Sequence, residues 1–133
     1  METKENANAE PKLDFRFIVE FPESFNIPSQ LVRAITLPKW IRTLHGNWSN
    51  MQIDLLESVV NSPTRTFYEM IKNEKDSFTF QIKIVDPTEK VLDTWTIDVG
   101  YICEIDFGVV DYRGHDVIKT TIILSPTNCT LES

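Results

Sequence analysis

Between Ser77 and Phe107 apolar and polar residues alternate with a period of two, the pattern of strands with one buried face and one wet face. Phe78, Phe80, Ile82 and Ile84 alternate with Thr79, Gln81 and Lys83. Beyond the segment Asp86-Pro87-Thr88-Glu89-Lys90, the odd positions Val91, Trp95, Ile97, Val99, Tyr101, Cys103, Ile105 and Phe107 are apolar, broken only by Asp93. The even positions are mostly Thr94, Thr96, Asp98, Gly100, Glu104 and Asp106. The pattern predicts a long antiparallel hairpin with one apolar face and one polar, partly acidic face. At its joint, Asp86 can bond its own backbone and Pro87 presets φ for a turn. Each apolar residue of the first arm contributes roughly 1.5–3 kcal/mol on burial, before chain entropy is subtracted. That fixes the register, because a slip by one residue would put all of them in water. The second arm exceeds the usual ~5–6 residues of a strand, and Gly100 predicts a bend or bulge within it.

The rest of the chain is read in the same way. Met1 to about Lys12 is polar and without periodicity, and is expected to be a disordered arm (1–12) ahead of a single domain (13–133). Phe15, Phe17, Val19 and Phe21 alternate with Arg16, Ile18 and Glu20 as a first strand, which Pro22 stops. PESFNIPSQ reads as a loop and Leu31 to Leu37 as a second short strand, ended by Pro38. Met51, Ile53 and Leu55 alternate with Gln52 and Asp54 as a further strand. Ser62-Pro63 is a helix start, with Ser as N-cap and Pro at the first helical position. Phe67, Met70 and Ile71 then stand at helical spacing up to Lys72. Gly108 to His115 reads as a loop, and Ile118, Thr120, Ile122 and Leu124 as the last long strand, resuming weakly after Pro126 through Leu131. This order lacks the strand–helix alternation of a doubly wound sheet. It predicts a mainly β fold, an antiparallel β-sandwich or half-barrel with one flanking α-helix and a long central hairpin.

Lys39 to Asn50 is less regular, with Trp40, Arg42, His45 and Trp48 around Gly46. It supports two readings: an exposed contact loop whose aromatics anchor a partner, or a hairpin whose tryptophans cover the edge of the core.

Composition narrows the function. A chain of 133 residues is one domain by length, and can bury roughly two-thirds of its unfolded surface without a metal or disulfide. A net charge of −7 argues against a general binder of phosphate backbones and suits a surface that repels nucleic acid. No apolar run approaches the ~20 residues of a membrane span, and the N-terminal stretch lacks the apolar core of a signal peptide. Cys103 and Cys129 fit no metal or redox spacing, and read as free buried thiols. Asn47-Trp48-Ser49 and Asn128-Cys129-Thr130 match the glycosylation pattern by chance in a chain read as lacking a secretory signal.

Signs of catalysis are sparse. The glycines form no phosphate loop, no serine sits in a nucleophile elbow, and His45 and His115 have no neighbouring ligand types in sequence. Asp98, Glu104 and Asp106 share the even face of one predicted strand. They could form a paired-carboxylate site, but read first as a solvated face. Trp40, Trp48 and Trp95 could instead form a stacking site for sugars in a ligand-binding β-sandwich.

The amphipathic hairpin also has what a channel lining needs, and here the chain resembles a known family. RFIVEF followed by RAITLP, NMQIDLLES followed by PTRTFYEMIKN, and above all FTFQIKIVDPTEKVLDTWTIDVGYICEIDFGVVDY followed by DVIKTTIILS resemble the tail tube proteins of contractile-tailed bacteriophages, a family related to type VI secretion tube proteins. The resemblance runs from about Leu13 to Leu131. It implies a structural protein without enzymatic activity or cofactor, assembled as hexameric rings that stack into a tube through which phage DNA passes without sequence-specific binding. It implies sheath and baseplate or terminator proteins as partners, no membrane, and a place in the virion tail after assembly in the host cytoplasm. By the same analogy Thr79, Gln81, Lys83, Thr94, Thr96 and Asp98 line the lumen, and Trp40, Arg42, His45 and Trp48 reach the neighbouring ring. The chain departs from the family in a shorter Lys39–Asn50 loop and in its ending PTNCTLES, which leaves open a related baseplate, tube-initiator or terminator ring.

Overall fold

Ile53, Leu55, Ile82, Ile97, Ile122 and Leu124 are fully withdrawn from solvent, and the strands that carry them belong to one sheet. The computed structural model describes residues 16–42, 44, 46–110 and 118–132. The expected N-terminal arm, the start of the first predicted strand through Phe15, His45, and the end of the predicted loop at His115 lie outside the described residues. The elements are β1 (Arg16–Glu20), β2 (Val32–Ile35), β3 (Trp40–Ile41), β4 (Asn47–Trp48), β5 (Met51–Leu56), α1 (Pro63–Lys72), β6 (Phe78–Val85), β7 (Val91–Asp106) and β8 (Lys119–Glu132). Six of the strands form an antiparallel sheet in the order β1-β6-β7-β8-β5-β2, and β3 and β4 form a separate small hairpin.

This sheet folds over on itself because β7 and β8 are longer than their outer neighbours. β6 pairs with β7 only from Val91 to Val99, and β5 pairs with β8 only from Lys119 to Leu124. One half is therefore β1, β6, the start of β7 and the end of β8; the other is the end of β7, the start of β8, β5 and β2. Register shifts in the β7–β8 ladder fall at Asp98/Val99, Val99/Tyr101 and Ile102/Glu104, where the sheet turns from one half to the other. At the corner, an added Cβ on Gly100 would stand 2.7 Å from Thr127 Cγ2, so a larger residue there would have to displace the Thr127 side chain. The inner faces of both halves meet in one core, with Val19, Phe80, Ile82, Ile97, Val99 and Cys129 from the first and Val32, Met51, Ile53, Leu55, Ile122 and Leu124 from the second. The sheet is nearly closed: Val19 N–H of edge strand β1 donates to Ser29 Oγ, just ahead of the opposite edge strand β2, at 3.0 Å.

The helix forms where the cap signals place it. Ser62 Oγ accepts from Arg65 N–H at 3.2 Å and donates to Glu57 Oε2 at 2.6 Å, while Glu57 Oε1 accepts from Thr64 N–H at 3.3 Å. Two orphan donors of the first turn are thus satisfied. Phe67 enters the core against Phe21 and Phe25, with ring centroids at 6.1 and 6.0 Å, and Thr64 shares a hydroxyl hydrogen bond of 2.9 Å with buried Thr120. Ile71, expected on the same stripe, is instead partly exposed. The PESFNIPSQ stretch contains one 3-10 turn and begins a second that ends at Leu31, and it sends Phe25 and Ile27 inward, which its reading as a loop did not indicate. Leu31 belongs to the second of these turns rather than to a strand.

The predicted hairpin is β6–β7, and its turn works as expected. Asp86 Oδ1 accepts from Thr88 N–H and Lys90 N–H at 2.9 Å each and from Thr88 Oγ1 at 2.7 Å. Glu89 takes a left-handed φ of 69°. The Thr88 hydroxyl, followed by the Lys90 amide, holds the Asp86 carboxyl below its ordinary range.

Strict alternation along β7 does not survive the corner. Its bulges bring Ile102 and Ile105 toward the core and turn Tyr101 and Cys103 outward. Cys103 is therefore exposed, correcting the expectation of two buried thiols, whereas Cys129 is buried. Burial, with a smaller contribution from the Asp98 charge, pushes the Cys129 thiol up to about 11. Pro126 does not interrupt β8. It lies past Leu124, where β5 no longer pairs, so its missing N–H removes nothing from that side.

Two outcomes test this geometry. A thiol reagent at neutral pH should modify Cys103 quickly and Cys129 only on unfolding, and Cys103→Ser should abolish the fast phase; fast labelling of Cys129 would contradict the bulged register. The folded pKa of Asp86 lies below its unfolded value of about 3.9, so its contribution is present above that value and is lost as pH falls through the folded pKa. Asp86→Asn should lower Tm at pH 7, and its gap to the parent should close below about pH 4; a gap unchanged at pH 2–3 would remove the carboxylate from the turn's stability, since both values lie at or below the ordinary pKa of about 3.9.

Candidate functional site

Because the core lies between the two halves, the polar residues of the β6–β7 hairpin point away from it. The six expected lumen residues stand as directly opposed cross-strand pairs on one face: Thr79 with Asp98, Gln81 with Thr96, and Lys83 with Thr94. Thr79 Oγ1 donates to Asp98 Oδ1 at 2.8 Å, and Gln81 Nε2 to Thr96 Oγ1 at 3.4 Å. Lys83 Nζ pairs with Glu20 Oε1 of β1 at 2.9 Å. Register continues the panel sideways, with Glu20 beside Gln81 on β1, and Glu132, Thr130 and Asn128 beside Thr94, Thr96 and Asp98 on β8. Cross-strand bonds of this kind each contribute a few tenths to about 1 kcal/mol and hold the side chains in fixed rows.

The panel is hydroxyl- and amide-rich, with the carboxylates Glu20, Asp98 and Glu132 among them. Glu20 pairs with Lys83 at 2.9 Å and Asp98 accepts from Thr79, whereas Arg16 pairs with Glu89 of the hairpin turn. Glu104 and Asp106 lie beyond the β7 bulges, and Asp106 Oδ1 accepts from Gly108 N–H at 2.9 Å. Of the three carboxylates considered as a catalytic set, Asp98 is thus separated from Glu104 and Asp106 by the corner of the sheet. Among the described residues no group of His, Cys, Asp and Glu could hold a metal ion, and no helix is long and apolar enough to cross a membrane.

Lys39–Asn50 is a hairpin, and its two tryptophans divide the two readings between them. Trp40 opposes Trp48, and Ile41 opposes Asn47; Ser49 N–H donates to Lys39 O at 2.8 Å. Trp48 packs on the core edge, with its ring centroid 6.3 Å from Trp95 in an edge-to-face contact. Trp40, with its ring 5.1 Å from Trp48, keeps half of its surface in solvent, next to exposed Ile41, Arg42 and Leu44. The edge-to-face stacking of the three tryptophans presents no flat triple platform for a sugar ring. The Trp40 ring closes over Gly46, whose φ is +67° and whose added Cβ would lie 2.4 Å from Trp40 Cζ2.

Two features went unread in the sequence. One is a cleft of about 600 Å³ at the open seam between β1 and β2, lined by Arg16, Phe17, Ser29, Val32, Arg33 and Val85. The other is the pair of exposed dipeptides Val59-Val60 and Val109-Val110, whose signal was present as apolar residues outside any alternating run.

Gly46→Ala should cost roughly 1–2 kcal/mol from the left-handed backbone alone and should expel Trp40 from its place. Near-ultraviolet circular dichroism and tryptophan fluorescence would register that change; unchanged spectra would contradict the stacked hairpin.

No family model and no curated protein matches the sequence. Solved structures do match in fold. A chain of the sheath–tube complex of an extracellular contractile injection system, PVC, in its extended state superposes with a TM-score of 0.68 at 14% identity, covering 100% of this chain and 99% of that one. A chain of the anti-feeding prophage baseplate gives 0.65 at 15% identity, with 94% and 97% covered. A chain of that prophage's tube-terminating cap gives 0.66 at 15%, with 93% and 92% covered. The mainly antiparallel, nearly closed β fold with its single described helix is the fold of these contractile-injection components.

Proposed function

We propose that this chain is a structural subunit of a contractile tail or injection particle, and that its copies stand side by side in a ring whose bore is faced by the outer surface of the β1-β6-β7-β8 half. The observation that carries this reading is the panel Thr79/Asp98, Gln81/Thr96 and Lys83/Thr94: a fixed, hydroxyl-rich surface on the side opposite the core. Rows of hydroxyls and amides interspersed with carboxylates suit a wall past which a polyanion or a folded cargo moves without sticking. Ring closure accounts for the sheet edges as well. Among the described residues β1 pairs with no strand on its outer side, where Val19 N–H donates to Ser29 Oγ, and β8 pairs with no strand past Leu124 on the β5 side; such edges are a liability in a free monomer. Residues 13–133 form the ring domain, with 1–12 as an arm. The rings are hexameric and stack into the tail tube of a phage-like particle, beside sheath, baseplate and terminator proteins. The particle is assembled in the producing cell's cytoplasm and passes DNA. Trp40 and Arg42, backed by Trp48, contact the adjoining ring, and the role is non-catalytic.

A second reading, a single ring at the baseplate or terminator end, is favoured by fold matches that include baseplate and cap chains. Electron microscopy of the purified protein separates these outcomes: stacked tubes support the first reading, and rings that never stack support the second. A protein that stays monomeric at its highest soluble concentration and assembles on no tail component would overturn both.

A further inference from the structure

The Val19–Ser29 hydrogen bond crosses the seam between β1 and β2, and a cleft lies on either side of it, the two sharing Ile18 and Ser29. The cleft on the Arg16 side has a volume of about 600 Å³. That falls within the roughly 300–1,000 Å³ of small-ligand sites, which favour the mouths of β-barrels. Its floor is apolar. Val32 and Val85 are 7% and 2% exposed, and Phe17 is half-buried beside them. Its charged residues are Arg16, Arg33 and Glu89. Arg16 is already paired with Glu89 at 3.3 Å. The Arg33 guanidinium has no ion pair or hydrogen bond among the described residues, so the cleft keeps one uncompensated positive charge in a chain of net charge −7. The register explains why Arg33 stands there. Val32 opposes Leu55 and Ala34 opposes Asp54, which leaves Arg33 as the extra residue of a bulge in β2, and a bulge re-aims the side chain it carries. Ser29 adds a second donor: its hydroxyl accepts from Val19 N–H and gives its own proton to no described acceptor.

We infer that this cleft binds a small amphipathic monocarboxylate, its head group on Arg33 and its apolar body on Phe17, Val32 and Val85. A guanidinium presents a planar fork that matches a carboxylate through two parallel hydrogen bonds, and one free cation matches one negative charge. The apolar floor gives the body of the ligand a surface to leave water on. Orientation is fixed by the neighbouring cleft. Beyond the Val19–Ser29 bond the lining includes Glu20 and Glu23, which repel a carboxylate and confine it to the Arg33 side. Every residue of the site belongs to one chain, so the inference does not rest on the ring reading.

Calorimetric titration of the full chain with octanoate tests the site, with octanol as the same body without the charge and acetate as the charge without the body. Octanoate should bind one to one and about tenfold or more tightly than either counterpart, the ratio a charge-assisted hydrogen-bonded pair gives. Arg33→Gln should weaken octanoate by about tenfold or more and leave octanol binding and Tm unchanged, because the side chain is exposed. Arg16→Gln should have the smaller effect, since Glu89 already neutralises that guanidinium. Arg42→Gln, which removes an exposed cation from the β3–β4 hairpin outside the cleft, should change nothing. Octanol binding as tightly as octanoate, or an equal loss in Arg42→Gln, would overturn the proposal in favour of unspecific adsorption. The absence of octanoate binding at millimolar concentration would overturn it outright. If Arg33→Gln then shifted the sedimentation of the full chain, the cleft would belong to a second copy instead.

Discussion

The β7–β8 ladder is the constraint on which the rest of the molecule depends. Each of its strands is long enough to belong to both halves of the sheet, so bending the pair brings two apolar faces together. The bend needs extra residues in β7, a glycine where β8 passes, and a partner for any amide that the bulge releases. All three are present. The register shifts cluster between Asp98 and Glu104, Gly100 lies against Thr127, and the Asp76 carboxylate accepts from Ile102 N–H at 2.9 Å. Without the bend, Ile97 and Ile122 would lie on one flat face with nothing to cover them.

The same bend decides what the outside presents. Once the apolar faces are turned toward each other, the Thr, Gln and Asp rows of the hairpin have only the exterior to occupy, and they meet as paired neighbours rather than as loose surface residues. The ends of the sheet carry the opposite character. Trp40 and Ile41 at one end and the valine dipeptides at the other leave apolar area in solvent that the core has no room to take.

The local devices were legible because each depends on a few adjacent residues. Ser62-Pro63 marks the first turn of α1 through a cap that forms wherever a helix starts. Asp86 and Pro87 mark the hairpin turn through bonds that span at most four residues. Phe80, Ile82 and Ile97 mark the buried face because period two is a property of the extended backbone itself. Tyr101, Ile102 and Cys103 were misplaced for a different reason. A bulge advances the chain by one residue without changing its composition, so the alternation is out of phase from Tyr101 to Cys103, and the next register shift brings Ile105 back to the core side. Phe25 and Ile27 were missed because a loop of irregular backbone has no period to show which side chains turn inward.

The order of residues alone thus determined the strands, the capped helix, the hairpin and the sorting of apolar from polar along its first arm, since all of these follow from backbone geometry and near-neighbour hydrogen bonds. Only the tertiary structure decided that Glu104 and Asp106 part company with Asp98, that Trp48 goes under while Trp40 stays out, and that two apolar ends face opposite ways. Those outcomes rest on where β7 and β8 bend and on what packs against them, which are distances between residues far apart in the chain.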